Sequence, residues 1–433
     1  MKTTKFQITV LIIFVIFIIG GVVMFATYKG SQGENRLPPI TIWGTFPKDK
    51  FDLYVSKVNN SLTLPLTVTY VEQNSSEFLN NFVAALARGN GPDAVLIPAD
   101  MLLPAQDKLT LIPYSAFSQR AFLNQFIDEA GVYLGTDGLM GVPFSVDPMV
   151  MYWNRDMFNA AGIATTPKYW DEFTAINKKL TIKDDNGTVT RSAIAMGDFY
   201  NVTNARELLG SLILQSGNPI TAPDNYGALV STLKPTGDKS PVPAVTFFTQ
   251  FVDPGNENYS WNHSWPDSKT AFVSGKLATY FGLASELYNI RQKNPNLNFD
   301  VATMPQLRTG GITATYGKIY GFSIVKQSQV ANAAFQVIST LTLPQFLGEI
   351  SSSMYLPSVS RDIIAAGTKD PYIAMFNVGA LISRTWRDAD PAESSKVLGT
   401  MVQAITTGQK SIFQALTDAA GRYDLILQRA VGQ

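Results

Sequence analysis

The hydrophobic pattern divides the chain into an apolar N-terminal run and a long body in which strand-like and helix-like segments alternate. Residues 8–26 are almost all apolar and follow two lysines. At about 1.5 Å per helical residue, such a run can reach across a hydrocarbon core of ~30 Å. We therefore predict a signal anchor over residues 1–30, with a transmembrane helix at 8–27 and a linker at 31–38. A cleaved secretory signal is the alternative, although the best cleavage position lacks one of its small residues.

The body begins with a strand, helix, strand pattern. Residues 64–72 (LPLTVTYVE) are rich in β-branched side chains and predict a strand. Apolar positions then recur every four residues between 78 and 86, which predicts a helix that Ser75 or Ser76 caps. Residues 93–97 predict the next buried strand. This order and these lengths indicate a βαβ unit, so we expect a mostly parallel sheet.

Composition limits the classes of protein that the chain can represent. Its 433 residues are too many for one core and favour two domains of ordinary size. Acidic and basic residues balance at 34 each, whereas a nucleic-acid-binding protein usually has a basic excess. The chain has no cysteine and one histidine, which excludes disulfides and thiolate chemistry and leaves little material for a zinc site or a Ser-His triad. We therefore predict no catalytic residues, no metal site, no cofactor and no nucleic-acid partner.

Residues 141–173 carry the most specific motif, GVPFSVDPMVMYWNRDMFNAAGIATTPKYWDEF. It resembles the segment by which extracellular solute-binding proteins of ABC importers, the maltose-binding-protein-like family, pass from one lobe into the other. The positions that match the family pattern are Tyr152, Trp153, Asn154, Phe158, Gly162, Pro167, Trp170, Asp171 and Glu172. Weaker motifs that resemble the same family follow its order along the chain, at residues 91–95, 272–282, 320–342 and 354–358.

The resemblance implies an α/β, two-lobed periplasmic-binding-protein-like fold of type II, in which each lobe is a mostly parallel sheet flanked by helices. Lobe I is expected to comprise residues 39–146 and 321–356, and lobe II residues 147–320 and 357–433. The implied function is that of an extracytoplasmic solute-binding component of an ABC importer, not an enzyme. The implied partners are a small polar solute, a sugar or oligosaccharide, and the permease subunits. The N-terminal helix would attach this single-pass protein to the cell membrane, with the bulk of the chain outside.

The same resemblance places a ligand-binding cleft between the lobes. The residues expected to line it are Trp43, Thr45, Asp93, Ser145, Asp147, Phe281, Gly282 and Trp386. Each has a structural alternative that the sequence leaves open. Trp43 could stack on a sugar ring or simply close the end of its strand. Asp147 could accept hydrogen bonds from sugar hydroxyls or brace the hinge between the lobes.

Two other classes of function remain open at this stage. A membrane-anchored extracytoplasmic hydrolase, such as a glycosidase, needs only two carboxylates about 5 to 10 Å apart, and any chain with this many acidic residues can supply them. Against it, no nucleophile-elbow, zinc-protease or phosphate-loop motif stands out. A surface scaffold or adhesion module could use the same fold, because fold alone does not determine function.

Overall fold

A computed structural model describes residues 36–431 of the chain. The predicted transmembrane helix at 8–27 and most of the predicted linker at 31–38 lie outside these described residues. Within the described part, no helix is both long enough and apolar enough to cross a membrane.

The strands and helices alternate along the described chain. The strands are β1 Ile40–Gly44, β2 Val68–Glu72, β3 Ala94–Pro98, β4 Leu109–Thr110, β5 Ile112–Pro113, β6 Gly138–Leu139, β7 Val142–Asn154, β8 Ile182–Lys183, β9 Val189–Ile194, β10 Thr221–Pro223, β11 Leu229–Ser231, β12 Leu277–Leu283, β13 Phe299–Ala302, β14 Thr315–Val325 and β15 Ser383–Arg384. The α-helices are α1 Lys48–Asn60, α2 Phe78–Ala87, α3 Leu102–Ala105, α4 Gln119–Gln125, α5 Arg155–Ala160, α6 Phe173–Leu180, α7 Ala205–Gln215, α8 Val242–Thr249, α9 Ser268–Val273, α10 Glu286–Lys293, α11 Ala331–Leu341, α12 Pro344–Leu347, α13 Glu349–Met354, α14 Arg361–Ala366, α15 Pro371–Leu381, α16 Pro391–Thr406 and α17 Ile412–Val431. Short 3-10 turns occupy Ala99–Met101, Gln106–Lys108, Asp128–Tyr133, Trp170–Glu172 and Gln250–Val252.

The predicted βαβ unit is confirmed, because β1 pairs in parallel with both β2 and β3. Its helix, α2, buries the repeating apolar positions, among them Phe78 and Phe82. The predicted cap is wrong. Glu77 stands at the N-terminus of α2 without a side-chain cap, and the side chain of Ser76 bonds to Asn74 instead. The Asn74 side chain therefore accepts the hydrogen bonds of Ser76 in the turn before the helix, and Ser76 does not cap α2.

The main sheet has the strand order β2-β1-β3-β14-β7-β12-β9-β8, and it is mixed rather than mostly parallel. Strand β14 is antiparallel to both β3 and β7, and β7 is antiparallel to β12. The expectation of a mostly parallel sheet in each lobe is therefore wrong. The reason lies in β7 and β14, two long strands that cross the middle of the sheet in opposite directions and are the central pair joining its halves.

Strand β7 also explains how the two halves connect. Its residues up to Pro148 pair with β14, whereas from Met149 onward it pairs with β12 and β13. Within the motif of residues 141–173, this single 13-residue strand is followed by α5. A further bridge joins Ser145 of β7 to Ser358. The assignment of whole segments to lobes I and II stays a prediction.

Candidate functional site

A cavity of about 460 Å³ lies at the carboxyl ends of strands from both halves of the sheet. Ser75 follows β2 and Asp100 follows β3 on one side. On the other side lie the loop that follows β9 and the first turns of α7 and α16, and Lys318 of β14 lies between. The lining residues are Ser75, Asp100, Met101, Phe199, Val202, Asn204, Ala205, Arg206, Glu207, Lys318, Pro391, Ala392 and Ser395. Loops and helix N-termini at the carboxyl ends of strands form the usual ligand site of open α/β sheets.

Asp100 is the least satisfied polar group of this cavity. It sits in the 3-10 turn directly after β3 and is 8% exposed, and its Oδ1 atom has no hydrogen-bond partner among residues 36–431. Burial raises the pKa of Asp100, while the charges of Arg206 and Lys318 act in the opposite direction. A buried polar atom without a partner is costly, and a hydroxyl-bearing ligand in the cavity could satisfy it.

Arg206 is held rigidly at the start of α7. Its guanidinium donates to Asp388 at 2.6 Å and to Glu207 at 3.0 Å, and it stacks 4.4 Å from the centre of the Trp386 ring. Burial lowers the pKa of Arg206, but the charges of Asp388 and Glu207 outweigh this effect and hold the pKa well above its usual value. The Nε atom has no partner within the described part of the chain. Arg206 therefore offers a fixed donor at the cavity.

Asn204, the residue before α7, is also held in place by hydrogen bonds. Asn204 lies at a φ of 58°, in the left-handed region that asparagine tolerates better than most residues. Its side chain donates to Glu286 at 2.7 Å. Tyr280 donates to the other carboxylate oxygen of Glu286, also at 2.7 Å, and Lys269 forms an ion pair with it. This network sets the direction from which α7 approaches the cavity.

Lys318 supplies a second positive charge. It lies on β14 directly opposite Asp147 of β7 and forms no ion pair among residues 36–431. The charge of Tyr320 raises the pKa of Lys318 most, against an opposing effect of burial, and Asp100 and Asp147 add to the increase. Asp147 is itself buried, accepts a hydrogen bond from the Ser285 amide at 2.9 Å, and has its pKa raised to about 6 by burial.

All eight residues expected at the cleft belong to the described part of the chain, and none of them lines this cavity. Trp43 and Thr45 lie at the carboxyl end of β1, where Thr45 Oγ1 is buried without a partner. Asp93 lies at the opposite end of the sheet, just before β3. Its carboxylate accepts hydrogen bonds from the Thr41 amide at 2.8 Å and from Ser328 at 2.7 Å, and so it braces the turn before β3.

The other expected cleft residues are buried inside the protein. Ser145 and Asp147 lie two positions apart within β7 and therefore on the same face of the strand. Phe281 of β12 packs 5.3 Å from the Trp170 ring, and the neighbouring Gly282 leaves room for a tyrosine ring. Trp386 donates from its indole nitrogen to Tyr423 at 2.8 Å and lines a different cavity. The ligand-binding role of all these residues stays a prediction.

Sequence reasoning missed the four charged residues that line the cavity, Asp100, Arg206, Glu207 and Lys318. For Asp100 a usable signal exists, because it follows a predicted buried strand by three residues, where parallel strands present their ligand-binding loops. Arg206 and Lys318 have no such local signal. They become neighbours of Asp100 only when the two halves of the sheet come together.

An α/β fold with a polar cavity at the carboxyl ends of strands from both halves of its sheet is typical of solute-binding proteins. A sequence profile of the family described as bacterial extracellular solute-binding protein matches residues 57–371, and the chain belongs to this family. The chain is 22% identical over 362 residues to a protein of Brucella abortus (strain 2308) that is named as a binding protein, covering 81% of this chain and 83% of that protein.

Two solved structures show the same fold. The cyclic alpha-maltosyl-1,6-maltose binding protein from Arthrobacter globiformis superposes with a TM-score of 0.74 and 18% identity, over 90% of this chain and 99% of that chain. A second protein, CpMnBP1 with mannotriose bound, gives a TM-score of 0.64 and 21% identity, over 89% of this chain and 99% of that chain. The predicted two-lobed solute-binding fold is confirmed, and the chain is a binding protein rather than an enzyme.

Proposed function

We propose that the protein captures an oligosaccharide in the cavity between the halves of its sheet and delivers it to the permease subunits of an ABC importer. The observation that carries this proposal is Asp100, a buried carboxylate whose Oδ1 atom has no partner in the described part of the chain and whose neighbours across the cavity are Arg206 and Lys318. Carboxylates and guanidinium groups bind sugar hydroxyls through charge-assisted hydrogen bonds. The oligosaccharides bound by related structures of the same fold support this ligand class.

The size and composition of the cavity agree with a short oligosaccharide. A volume of about 460 Å³ lies within the range of roughly 300 to 1,000 Å³ that is usual for small-molecule sites. Phe199 supplies one aromatic ring at the edge of the cavity, while hydroxyl and amide groups of Ser75, Asn204 and Ser395 supply neutral hydrogen-bonding groups. This composition favours an uncharged polyhydroxyl ligand, because the positive charges of Arg206 and Lys318 already face negative neighbours.

A ligand screen on the purified full-length protein tests the proposal. Melting temperatures should be measured with maltotetraose and mannotriose, and with free amino acids and short peptides as unrelated solutes. A ligand present at about 100 times its dissociation constant adds about 2.7 kcal/mol to the stability of the folded state, which a melting experiment detects readily. We expect a shift with at least one oligosaccharide. Shifts with amino acids or peptides alone would contradict the sugar assignment while leaving the family assignment intact.

A matched pair of aspartate variants then tests the site. Asp100→Ala should weaken oligosaccharide binding, measured by titration calorimetry, by roughly 10- to 100-fold, since a hydrogen bond to a charged group contributes about 1.5 to 3 kcal/mol. Asp93→Asn is the control, because the Asp93 carboxylate is engaged by Thr41 and Ser328 at the far end of β3. If Asp93→Asn weakens binding and Asp100→Ala does not, the site assignment is reversed.

We also propose that residues 8–27 attach the protein to the membrane and leave its body outside the cytoplasm. The support for this is the length and apolar character of that segment and the extracellular family to which the body belongs. Membrane fractions should retain the protein after high-salt and carbonate washing, and added protease should digest the body in intact cells or spheroplasts. Release of the whole protein by washing would count against an anchor.

A further inference from the structure

A second cavity, of about 490 Å³, lies apart from the cleft and shares no lining residue with it. One side is the turn that contains Asp128 and Val132, just before β6. The opposite side is formed by the end of α7, by the hairpin of β10 and β11, and by residues 384–387, which include and follow the end of β15. This cavity is built from segments that are distant in sequence, and the sugar-binding proposal gives it no role.

Two arginines, Arg384 and Arg387, lie on the charged side of this cavity. Arg384 forms an ion pair with Asp128 at 3.0 Å, but Asp128 also binds the guanidinium of Arg361. Arg387 has no carboxylate partner within residues 36–431. Its guanidinium donates only to main-chain carbonyl oxygens, that of Leu134 at 2.7 Å and that of Val132 at 3.4 Å. Arg384 therefore shares its carboxylate with Arg361, and Arg387 has none within the described residues.

The remaining acid at the cavity is Glu129, and burial raises its pKa well above its usual value. The hydrogen bond from Arg361 lowers the pKa of Asp128, which stays ionised. Burial lowers the pKa of Arg387. A partly buried cation without a counter-ion is costly, and an anionic ligand would remove that cost.

Much of the remaining lining is apolar, although Asn218, Thr221 and Thr385 also belong to it. The apolar side chains are those of Val132, Leu214, Pro219, Pro223, Leu229 and Ile312. Ile312 is 47% exposed, so part of this apolar surface meets water. The main chain of Arg387 is also fixed, because its carbonyl oxygen accepts a hydrogen bond from Thr221 at 2.9 Å. The cavity thus combines a fixed cationic end with an apolar body.

We propose that this second cavity binds an organic monocarboxylate, with its carboxylate against Arg387 and Arg384 and its apolar body against the wall that includes Leu229 and Ile312. Guanidinium groups bind carboxylates with two parallel hydrogen bonds, which explains the preference for this head group. A volume of about 490 Å³ suits a small organic acid rather than a macromolecule. The site is independent of the sugar cleft, so either proposal can fail without the other.

Titration of the full-length protein with 4-phenylbutyrate and octanoate tests the proposal. The alcohols 4-phenylbutanol and octanol probe the apolar body without the carboxylate, and inorganic phosphate probes the anionic group without the apolar body. We expect saturable binding of at least one carboxylate, and binding weaker by about tenfold or more for the matching alcohol and for phosphate. No saturable binding of either carboxylate at millimolar concentration would overturn the proposal. Equal binding of phosphate, or of the alcohol, would overturn the assignment to an organic anion.

The variant Arg387→Gln removes the charge but keeps an amide donor for the carbonyl oxygens of Val132 and Leu134. It should weaken carboxylate binding by about tenfold or more, and Arg384→Gln should weaken it in the same direction. Arg308→Gln is the matched control, because Arg308 pairs with Asp171 on another surface. If Arg387→Gln melts like the wild type and binds the carboxylate equally well, the proposal is wrong. If that variant does not fold, Arg384→Gln and the carboxylate-to-alcohol comparison in the wild type still decide the question.

Discussion

Replacing Asp147 with asparagine should raise the stability of the protein near neutral pH and reduce its dependence on pH. Asp147 is 4% exposed within β7, and its Oδ1 accepts a hydrogen bond from the Ser285 amide. Asparagine can keep this acceptor without a charge. The wild-type protein must instead bury an ionised carboxylate whenever the pH is above the folded-state pKa of Asp147.

The direction and size of the effect follow from this pKa, which burial raises from 3.8 to about 6. Between these two values the folded protein binds more protons than the unfolded chain, so the free energy of unfolding falls as the pH rises. A difference of about two pH units, at about 1.4 kcal/mol per unit, corresponds to roughly 3 kcal/mol at most. We therefore expect Asp147→Asn to be more stable than the wild type by about 1 to 3 kcal/mol at pH 7, and nearly equal to it at pH 4.

Urea unfolding of both proteins between pH 4 and pH 8 measures this difference. Asp100 and Glu129, whose pKa values are also raised by burial, contribute to both curves, so the difference between the curves isolates Asp147. Asp128→Asn provides a control of opposite sign. Its pKa is lowered by Arg361, so the stability that this carboxylate contributes is present at neutral pH and is lost as the pH falls. Parallel curves for Asp147→Asn and the wild type across this range would refute the reasoning.

Two further predictions concern buried contacts near the cleft. Arg206→Leu should lower the free energy of unfolding by about 3 to 5 kcal/mol in urea titrations, because it leaves the fully buried Asp388 without its cation; a loss below 1 kcal/mol would show that the pair contributes little. Gly210→Ala should cost about 1 to 3 kcal/mol in thermal unfolding, because its new Cβ atom would lie 2.7 Å from the Trp386 ring. The control Gly421→Ala in α17 meets no atom within 4 Å and should stabilise the protein by up to about 1 kcal/mol. The reverse order of stabilities would contradict this packing.

The sequence alone determined the features that depend on neighbours along the chain. The β-branched run before Glu72 was enough to predict a strand, and the apolar spacing of four residues from Phe78 was enough to predict the helix after it. The parallel arrangement of this strand and the next one was predicted as well. The long motif of residues 141–173 was enough to predict the family, which the family profile confirmed. These predictions succeed because local backbone preference and hydrophobic spacing act over a few residues, within the length of one element.

The tertiary structure decided which side chains meet at the cleft. Trp386 had the residue type expected of a sugar-stacking group, yet it packs beneath Arg206 and hydrogen-bonds to Tyr423. Asp93 had the charge expected of a ligand contact, yet it lies at the end of β3 that faces away from the cleft. A residue type gives the chemistry that a side chain can perform, but not the direction in which the finished fold points it.

The relative directions of the central strands were also decided by tertiary structure. Strands β7 and β14 run antiparallel through the centre of the sheet, and their pairing places Lys318 beside Asp147 although 171 positions separate them in the sequence. The same arrangement leaves Asp100 buried near two cations, and it leaves Arg387 half-buried without a carboxylate partner among residues 36–431. Sequence spacing carries no record of such contacts, because long-range pairing depends on the burial and electrostatic free energy of the whole fold rather than on local preference.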